Sequence, residues 1–278
     1  MPMKKILQHA GLMGYGALAR TGILKHPWAR RLFLAAYSAY KTWIESGPVD
    51  RLKNLVAPGS TVVDVGASVG FFTLKFASWV GEQGQVIAIE PDVINFETLA
   101  ANISAAGLQP RVRLHRAAAA AEAGSVRLQR NELHPGDHRI NFGGEGIVVP
   151  AVTVDDLVAA AGTKLVSLVK IDVQGAEMLV LAGAKHTLAA MRPALFVEVD
   201  ERALGSFGSS ARAVVAYLKR AGYDMYELTR EGPPDKLSHE RLFASLKGGS
   251  YIDVLFLPAS KEDMVGQSRA RVEGNDDR

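Results

Sequence analysis

Three acidic residues lie where a parallel sheet would present them to a ligand. Glu90, Asp172 and Glu198 each lie near the end of a run rich in Val, Ile and Leu, the composition of a strand buried on both faces. Because the carboxyl ends of parallel strands meet at one edge of a sheet, we expect these carboxylates to converge. Such groups can accept a proton from a hydroxyl, bind ribose hydroxyls or ligate a divalent metal.

The stretch Thr61–Thr73 predicts the element around which these acids are arranged. The β-branched run Thr61–Val65 predicts a buried strand that contains Asp64. Residues 66–70, Gly-Ala-Ser-Val-Gly, predict a tight turn, because glycine allows positive φ and lets a ligand approach the backbone. Apolar residues at helical spacing then predict a helix over 71–80.

The composition of this turn excludes two kinds of phosphate site. A dinucleotide fingerprint needs glycine at positions 66, 68 and 71, but Ser68 and Phe71 occupy two of them. No Gly-Lys-Ser/Thr follows, so the turn is not a P-loop. These features disfavour an NAD-dependent oxidoreductase.

The ligand that remains is a nucleoside without a pyrophosphate. A carboxylate at the end of the second strand, Glu90, lies beside the turn and can accept both hydroxyls of a ribose. S-adenosylmethionine is the common ligand of this kind. The alternative is a plain strand, turn and helix in which Asp64 only caps the turn.

Four ordered blocks carry a resemblance to a known family. DVGASVGFFT is followed by AIEPDVINFETLAANI, VTVDDL and LVKIDVQGAEMLVLAGA. Together they resemble the FkbM-type class I methyltransferases over roughly Val49 to Pro258, and ordered blocks are far more specific than one glycine turn. Ser68 stands where the family often has Asn, and Gln174 stands where it often has Glu, which removes one carboxylate from the site.

The resemblance implies a fold, a reaction and a cofactor site. The fold is α/β and Rossmann-like, a mostly parallel seven-stranded sheet with helices on both faces and an antiparallel hairpin at the end. The reaction is methyl transfer from S-adenosylmethionine, mostly to hydroxyl oxygens. Small residues after the third strand would line the adenine, although a plain alanine-rich turn is the alternative. The residues expected to bind the cofactor are Asp64, Gly66, Ala67, Ser68, Gly70, Glu90, Pro91, Ala117 and Ala118.

Methyl transfer to oxygen needs a residue that helps the acceptor hydroxyl lose its proton while the acceptor is aligned for in-line displacement. Asp172 is the first candidate for this base, or for a ligand of a metal that acidifies the hydroxyl, and Glu198 and His138 are the second candidates. The competing interpretation is a structural Asp172 that orients a loop or contacts the methionine part of the cofactor. An oxygen-rich Mg²⁺ site stays an alternative, because no spacing determines its geometry.

A polar loop over 132–141 lies between two predicted short strands, a usual place for recognition. If the loop acts, Arg139 holds an anionic group of the substrate with Asp137 beside it, and His138 is a base or a metal ligand. A solvated loop without a role is the equal alternative.

Composition limits the class of protein. The 278 residues are 48% hydrophobic, enough for one large α/β domain and an appendage. There is no cysteine, which excludes disulfides, thiolate metal sites and a cysteine nucleophile, and which fits a cytoplasmic enzyme. No run approaches the roughly 18 apolar residues of a membrane span, and the first 19 residues lack the pattern of a signal peptide.

Positive charge is concentrated at the amino terminus. Residues 1–53 hold nine Lys or Arg and two acidic residues, although the whole chain has a net charge of only +3. An apolar stripe with helical period predicts helices over 1–57, packed on their own core. Alternatives are a lid over the substrate cleft, a contact in a homo-oligomer, or a helix on an anionic membrane surface. No nucleic-acid partner is expected, because the aromatic residues follow the helical period instead of forming a stacking platform.

The predicted function is methyl transfer from S-adenosylmethionine to a hydroxyl of a sugar, polyketide or other small metabolite. The methyltransferase domain would cover residues 58–258, and the polar residues 259–278 predict a disordered tail. The alternatives are an N-methyltransferase acting on a small amine, and a non-catalytic interaction protein that binds the cofactor or a membrane.

Overall fold

The computed structural model describes most of the predicted catalytic domain. The described residues are 49–129, 139–141, 146–229, 232–247 and 250–259. The predicted helices before residue 49, the tail after residue 259, and the candidate residues Asp137 and His138 lie outside these ranges.

Twelve strands are described, and they form two sheets. In chain order they are β1 Thr61–Val65, β2 Gln85–Ile89, β3 Val112–His115, β4 Ala118–Ala119, β5 Gly124–Gln129, β6 Arg139–Asn141, β7 Ile147–Val152, β8 Val166–Ile171, β9 Ala194–Asp200, β10 Tyr223–Glu227, β11 Asp235–Lys236 and β12 Tyr251–Pro258.

The larger sheet has the order β11-β10-β12-β9-β8-β1-β2-β3. Strand β1 lies at its centre and pairs in parallel with β2 and β8, while β12 runs antiparallel between β9 and β10. This mostly parallel sheet confirms the predicted α/β class. The strand count differs from the predicted seven, because the two-residue β11 adds an eighth strand by pairing with β10.

The smaller sheet has the order β4-β7-β5-β6 and was not expected as a separate unit. Strands β5 and β7 lie near the two short strands that the sequence predicted. Arg139 and the residues after it were assigned to a polar loop, but they form β6, because their backbone pairs antiparallel with β5.

Eight α-helices are described among these residues. They are α1 Phe71–Trp79, α2 Val93–Ala105, α3 Val154–Ala160, α4 Glu177–Ala182, α5 Lys185–Met191, α6 Glu201–Ser206, α7 Ala211–Arg220 and α8 His239–Leu246.

Side-chain caps determine where two of the helices begin. The Asp92 carboxylate accepts hydrogen bonds from the N–H groups of Ile94 and Asn95 at the start of α2, and the Thr153 hydroxyl accepts one from Asp156 at the start of α3. These bonds satisfy N–H groups that have no partner within the helix. None of the helices in the described part of the chain is long and apolar enough to cross a bilayer.

Two hydrophobic clusters pack against the sheet, and β1 contributes to both. All five residues of β1 are buried; Val63 and Val65 belong to one cluster and Val62 to the other. The second cluster also contains Val49 and Leu52, which precede the predicted boundary of the catalytic domain. Residues 49–56 therefore pack on the core of the domain, and the boundaries of the predicted domains stay predictions.

Candidate functional site

The register of the central strands places four residues in one row. The parallel pairings align the last residues of β2, β1 and β8 with Val197, which lies three residues before the end of β9. The residues at the next position of these strands are, in order across the sheet, Glu90, Gly66, Asp172 and Glu198. The expected convergence of carboxylates at the carboxyl edge is therefore a consequence of strand register.

The glycine turn is pressed against the end of β8. Gly66 has φ +76°, and a Cβ placed on it would lie 1.9 Å from the Asp172 carbonyl oxygen. Ser68 also has positive φ, 51°, which is uncommon outside glycine. The N–H groups of Gly66 and Ala67 both donate to the Ile89 carbonyl. Only glycine fits at position 66, because any side chain would collide with the strand that carries Asp172.

Glu90 is joined to this turn through its side chain. Its two carboxylate oxygens accept the N–H groups of Ser68, at 2.8 Å, and of Asp92, at 2.9 Å. The residue is 4% exposed, and burial raises the pKa of its carboxyl to about 7. A carboxylate oxygen has two lone pairs, so each can accept a further hydrogen bond, as from a ribose hydroxyl.

Asp64 lies below the row and is fully buried. One of its oxygens accepts a 2.6 Å hydrogen bond from the Thr73 hydroxyl, and the other lies 3.5 Å from the Lys170 ammonium. With no exposed surface, Asp64 supports the turn from inside. The contact of Asp64 with the cofactor stays a prediction.

The ammonium of Lys170 connects Asp64 to the row. It donates to the Gly66 carbonyl at 2.7 Å, lies 3.5 Å from an Asp172 carboxylate oxygen, and lies 5.1 Å from the ring centre of Phe72. A buried lysine is stable in its charged form only when paired and hydrogen-bonded. Lys170 therefore holds one partly exposed and one buried carboxylate in fixed positions.

A glutamine joins the two candidate catalytic carboxylates. The Nε2 atom of Gln174 donates to Asp172 Oδ1 at 3.3 Å and to Glu198 Oε1 at 3.0 Å. The sequence predicted that Asp172 and Glu198 converge, but it gave no sign of this link. The contact spans β8 and β9 and depends on a left-handed backbone at Gln174, φ 54°.

Glu177 is a further acidic group of this region, at the first position of α4. It is 3% exposed, one of its oxygens accepts the Gly175 N–H at 3.1 Å, and burial raises the pKa of its carboxyl to about 7. Glu177 therefore stabilises the loop that follows Asp172 from its buried side.

The remaining candidate residues lie outside this row. Ala117 and Ala118, after β3, are buried small residues, and Pro91 follows Glu90 and is partly exposed. Gly70, with φ +97°, ends the turn before α1. Arg139 lies in β6, the edge strand of the smaller sheet, whereas the carboxylates belong to the larger one.

The described residues do not supply a metal site. No group of three or more His, Cys, Asp or Glu side chains suited to a metal ion occurs within them. Asp172 and Glu198 share a hydrogen-bond donor, the Gln174 amide. The predicted Mg²⁺ gains no support from these residues.

Similarity to known proteins identifies the family. A family model described as the methyltransferase FkbM domain matches residues 64–225, more than half of the chain. No curated protein sequence is significantly similar to the chain.

Solved methyltransferase structures resemble the chain weakly. An FkbM methyltransferase from Methylobacillus flagellatus is 16% identical, with a TM-score of 0.46 over 82% of this chain and 54% of that one. The O-methyltransferase TomG from Streptomyces achromogenes is 15% identical, with a TM-score of 0.43 over 78% and 81%. An rRNA methylase from Streptococcus thermophilus is 11% identical, with a TM-score of 0.44 over 78% and 96%.

The chain spans about half of the length of the Methylobacillus protein. The region that matches the family model contains the glycine turn, Glu90 and both candidate catalytic carboxylates. The chain belongs to the FkbM methyltransferase family, whose members use S-adenosylmethionine as the methyl donor.

Proposed function

We propose that this methyltransferase acts on a hydroxyl oxygen of a small molecule such as a sugar, a polyketide or another metabolite. The observation that carries the proposal is the pair Asp172 and Glu198, held by one amide in the row that begins at Glu90. Two carboxylates beside a nucleoside site suit an acceptor that must lose a proton.

The residues of the row and the turn fit the cofactor. Glu90 can accept the ribose hydroxyls, because each oxygen that binds a backbone N–H keeps a second lone pair. Gly66 and Ser68 are partly exposed, so a ligand can lie against the turn. The small side chains of Ala117 and Ala118 leave room for adenine. When bound, S-adenosylmethionine supplies a methyl group already activated by the sulfonium.

Asp172 is the proposed base. Its side chain is 25% exposed, so it can reach a bound hydroxyl, while Lys170 and Gln174 prevent it from turning away. The hydroxyl proton would pass to an Asp172 oxygen while Glu198 orients the acceptor. His138 remains a second candidate base, and Arg139 and Asp137 remain candidates for contacts with the substrate.

The test is methyl transfer from isotope-labelled S-adenosylmethionine to a panel of hydroxylated small molecules and matched amines. With an acceptor in hand, Asp172→Asn should lower kcat by roughly a hundredfold or more, the usual effect of losing a positioned base. The affinity for S-adenosylhomocysteine should stay within about threefold, because Asp172 is not proposed to bind the cofactor. Asp156→Asn, an exposed aspartate in α3, is the matched control.

Three results would contradict the proposal. Transfer to amines with none to any hydroxyl would favour the N-methyltransferase, and an unchanged kcat in Asp172→Asn would remove Asp172 as the base. Cofactor binding without transfer to any acceptor would favour the non-catalytic interaction protein.

Partners and location are also proposals. A small hydroxylated acceptor is the proposed partner, and the basic residues 1–53 suit an anionic membrane surface or a second copy of the chain. Pelleting with anionic vesicles, sedimentation and cell fractionation would test membrane contact, oligomeric state and a cytoplasmic location.

A further inference from the structure

The position of the Gln174 amide has a consequence for metal use. Its nitrogen lies between carboxylate oxygens of Asp172 and Glu198, at 3.3 and 3.0 Å. These acids occupy neighbouring positions on parallel strands, so their separation is imposed by the sheet. Two like charges held this close repel unless a donor or a cation lies between them.

The orientation of the amide follows from its partners. Carboxylates are acceptors only, so they must face the NH₂ of Gln174 and not its carbonyl oxygen. That NH₂ has two hydrogens, and the two carboxylates supply one acceptor each. The donor group and the acceptor pair therefore match in number.

A positive charge lies at the other oxygen of Asp172. Lys170 Nζ lies 3.5 Å from Asp172 Oδ2, whereas Gln174 contacts Asp172 Oδ1. Both oxygens of Asp172 thus have a nitrogen partner. A divalent cation that bridged Asp172 and Glu198, with oxygen ligands at about 2.0–2.6 Å, would compete with Gln174 for Asp172 Oδ1, because Lys170 lies at the other oxygen of Asp172.

We propose that the Gln174 amide takes the place of a bridging divalent cation and positions Asp172 and Glu198 without a metal ion. The inference rests on the proposed function, because it is these two carboxylates that would face the acceptor. Gln174 is a positioning residue, since it acts through the two acids.

The test is a titration of the full-length protein with Mn²⁺, in which the electron paramagnetic resonance signal of free Mn²⁺ measures how much is bound. Wild-type protein should show no stoichiometric Mn²⁺ site. Gln174→Glu replaces the donor by a third carboxylate and should bind one Mn²⁺ roughly tenfold or more tightly than wild type. Adding Asp172→Asn to that variant should remove the gain. Gln83→Glu, the same change at an exposed turn, should behave as wild type.

Each result either supports or overturns the inference. A wild-type Mn²⁺ site that Asp172→Asn abolishes would overturn it, as would a Gln174→Glu variant that folds and gains no Mn²⁺ affinity. If Gln174→Glu does not fold, Gln174→Ala takes its place: it opens the gap between the acids, and a Mn²⁺ affinity no higher than wild type would again overturn the inference.

Titration of the wild type with S-adenosylhomocysteine separates this inference from the proposed function. Wild-type protein that binds no S-adenosylhomocysteine would contradict the proposed function, whatever the Mn²⁺ result. Normal S-adenosylhomocysteine binding with the wrong Mn²⁺ result would contradict only the role of Gln174.

Discussion

Glu90 combines burial with a position that a ligand must reach. Its carboxylate accepts two backbone N–H groups, but burial outweighs them and raises the pKa to about 7. The protein without cofactor thus holds Glu90 partly protonated near neutral pH. Ribose hydroxyls donate hydrogen bonds to the ionised form, so the cofactor and the proton compete for the same oxygens.

Affinity for S-adenosylhomocysteine should therefore increase with pH. Between pH 6 and pH 8 the ionised fraction of Glu90 increases from about a tenth to about nine tenths, so the affinity should increase by up to about tenfold. Calorimetric titration at pH 6, 7 and 8 measures the change. Glu90→Gln cannot ionise and should show weak binding that does not follow this curve. A wild-type affinity that is constant or decreases over this interval would contradict the assignment.

Lys170 should contribute strongly to stability. Lys170→Met leaves the fully buried Asp64 and the partly buried Asp172 without their cation, so the free energy of unfolding should decrease by about 3–5 kcal/mol. Lys75→Met is the control: its partner Asp50 is 55% exposed, and the loss should be at most about 1 kcal/mol. Urea denaturation measures both, and equal losses would contradict this account.

At the scale of elements, the site depends on close contact between the turn after β1 and the end of β8. Gly66 contacts the backbone of Asp172 with no room for a side chain, and its carbonyl accepts the Lys170 ammonium. The turn and the loop after β8 therefore form one unit, and a change in either should disturb the other.

Gly66→Ala should lower the free energy of unfolding much more than the same substitution at another glycine with positive φ. Gly107 has φ +67° with open space around its missing side chain, so Gly107→Ala should lose only about 1 kcal/mol of unfolding free energy. Gly66→Ala has a similar backbone penalty and a collision with the Asp172 carbonyl, and should lose about 2–4 kcal/mol more. Thermal and urea unfolding of both variants measure the difference, which should vanish if the turn can move away from β8.

The elements were predictable where local chemistry determines them. The β-branched residues of β1 and the glycine turn each indicate one structure. The smaller sheet was not predictable, because its short strands form only by pairing with one another.

The row of acids was predictable from the parallel strands, but the hydrogen bonds that join the acids to one another were not. Gln174 reaches Glu198 across 24 positions of the chain through a left-handed backbone. Burial of Glu177 likewise depends on the packing of α4, which sequence period does not show in a six-residue helix.

For the molecule as a whole, the proposed cofactor residues lie in one continuous part of the chain. The proposed contacts run from Gly66 to Ala118, and the core beneath them extends back to Val49. The basic amino-terminal residues contribute none of the proposed cofactor contacts.

Removal of residues 1–45 should therefore leave the affinity for S-adenosylhomocysteine within about twofold, because Val49 and Leu52 remain to complete the core. Calorimetry on the truncated and full-length proteins makes the comparison. A loss of more than about tenfold in a truncated protein that is still folded would mean that these residues close over the cofactor.

The cofactor site is tested most directly by calorimetric titration of the full-length protein with S-adenosylhomocysteine, beside NAD, repeated on Glu90→Ala and on the exposed control Glu82→Ala. We expect about one S-adenosylhomocysteine to bind per chain at micromolar affinity, and no binding of NAD. Glu90→Ala should lose S-adenosylhomocysteine binding, whereas Glu82→Ala should bind it as the wild type does. Binding of NAD, or S-adenosylhomocysteine binding that is unchanged in Glu90→Ala, would contradict the proposed cofactor site.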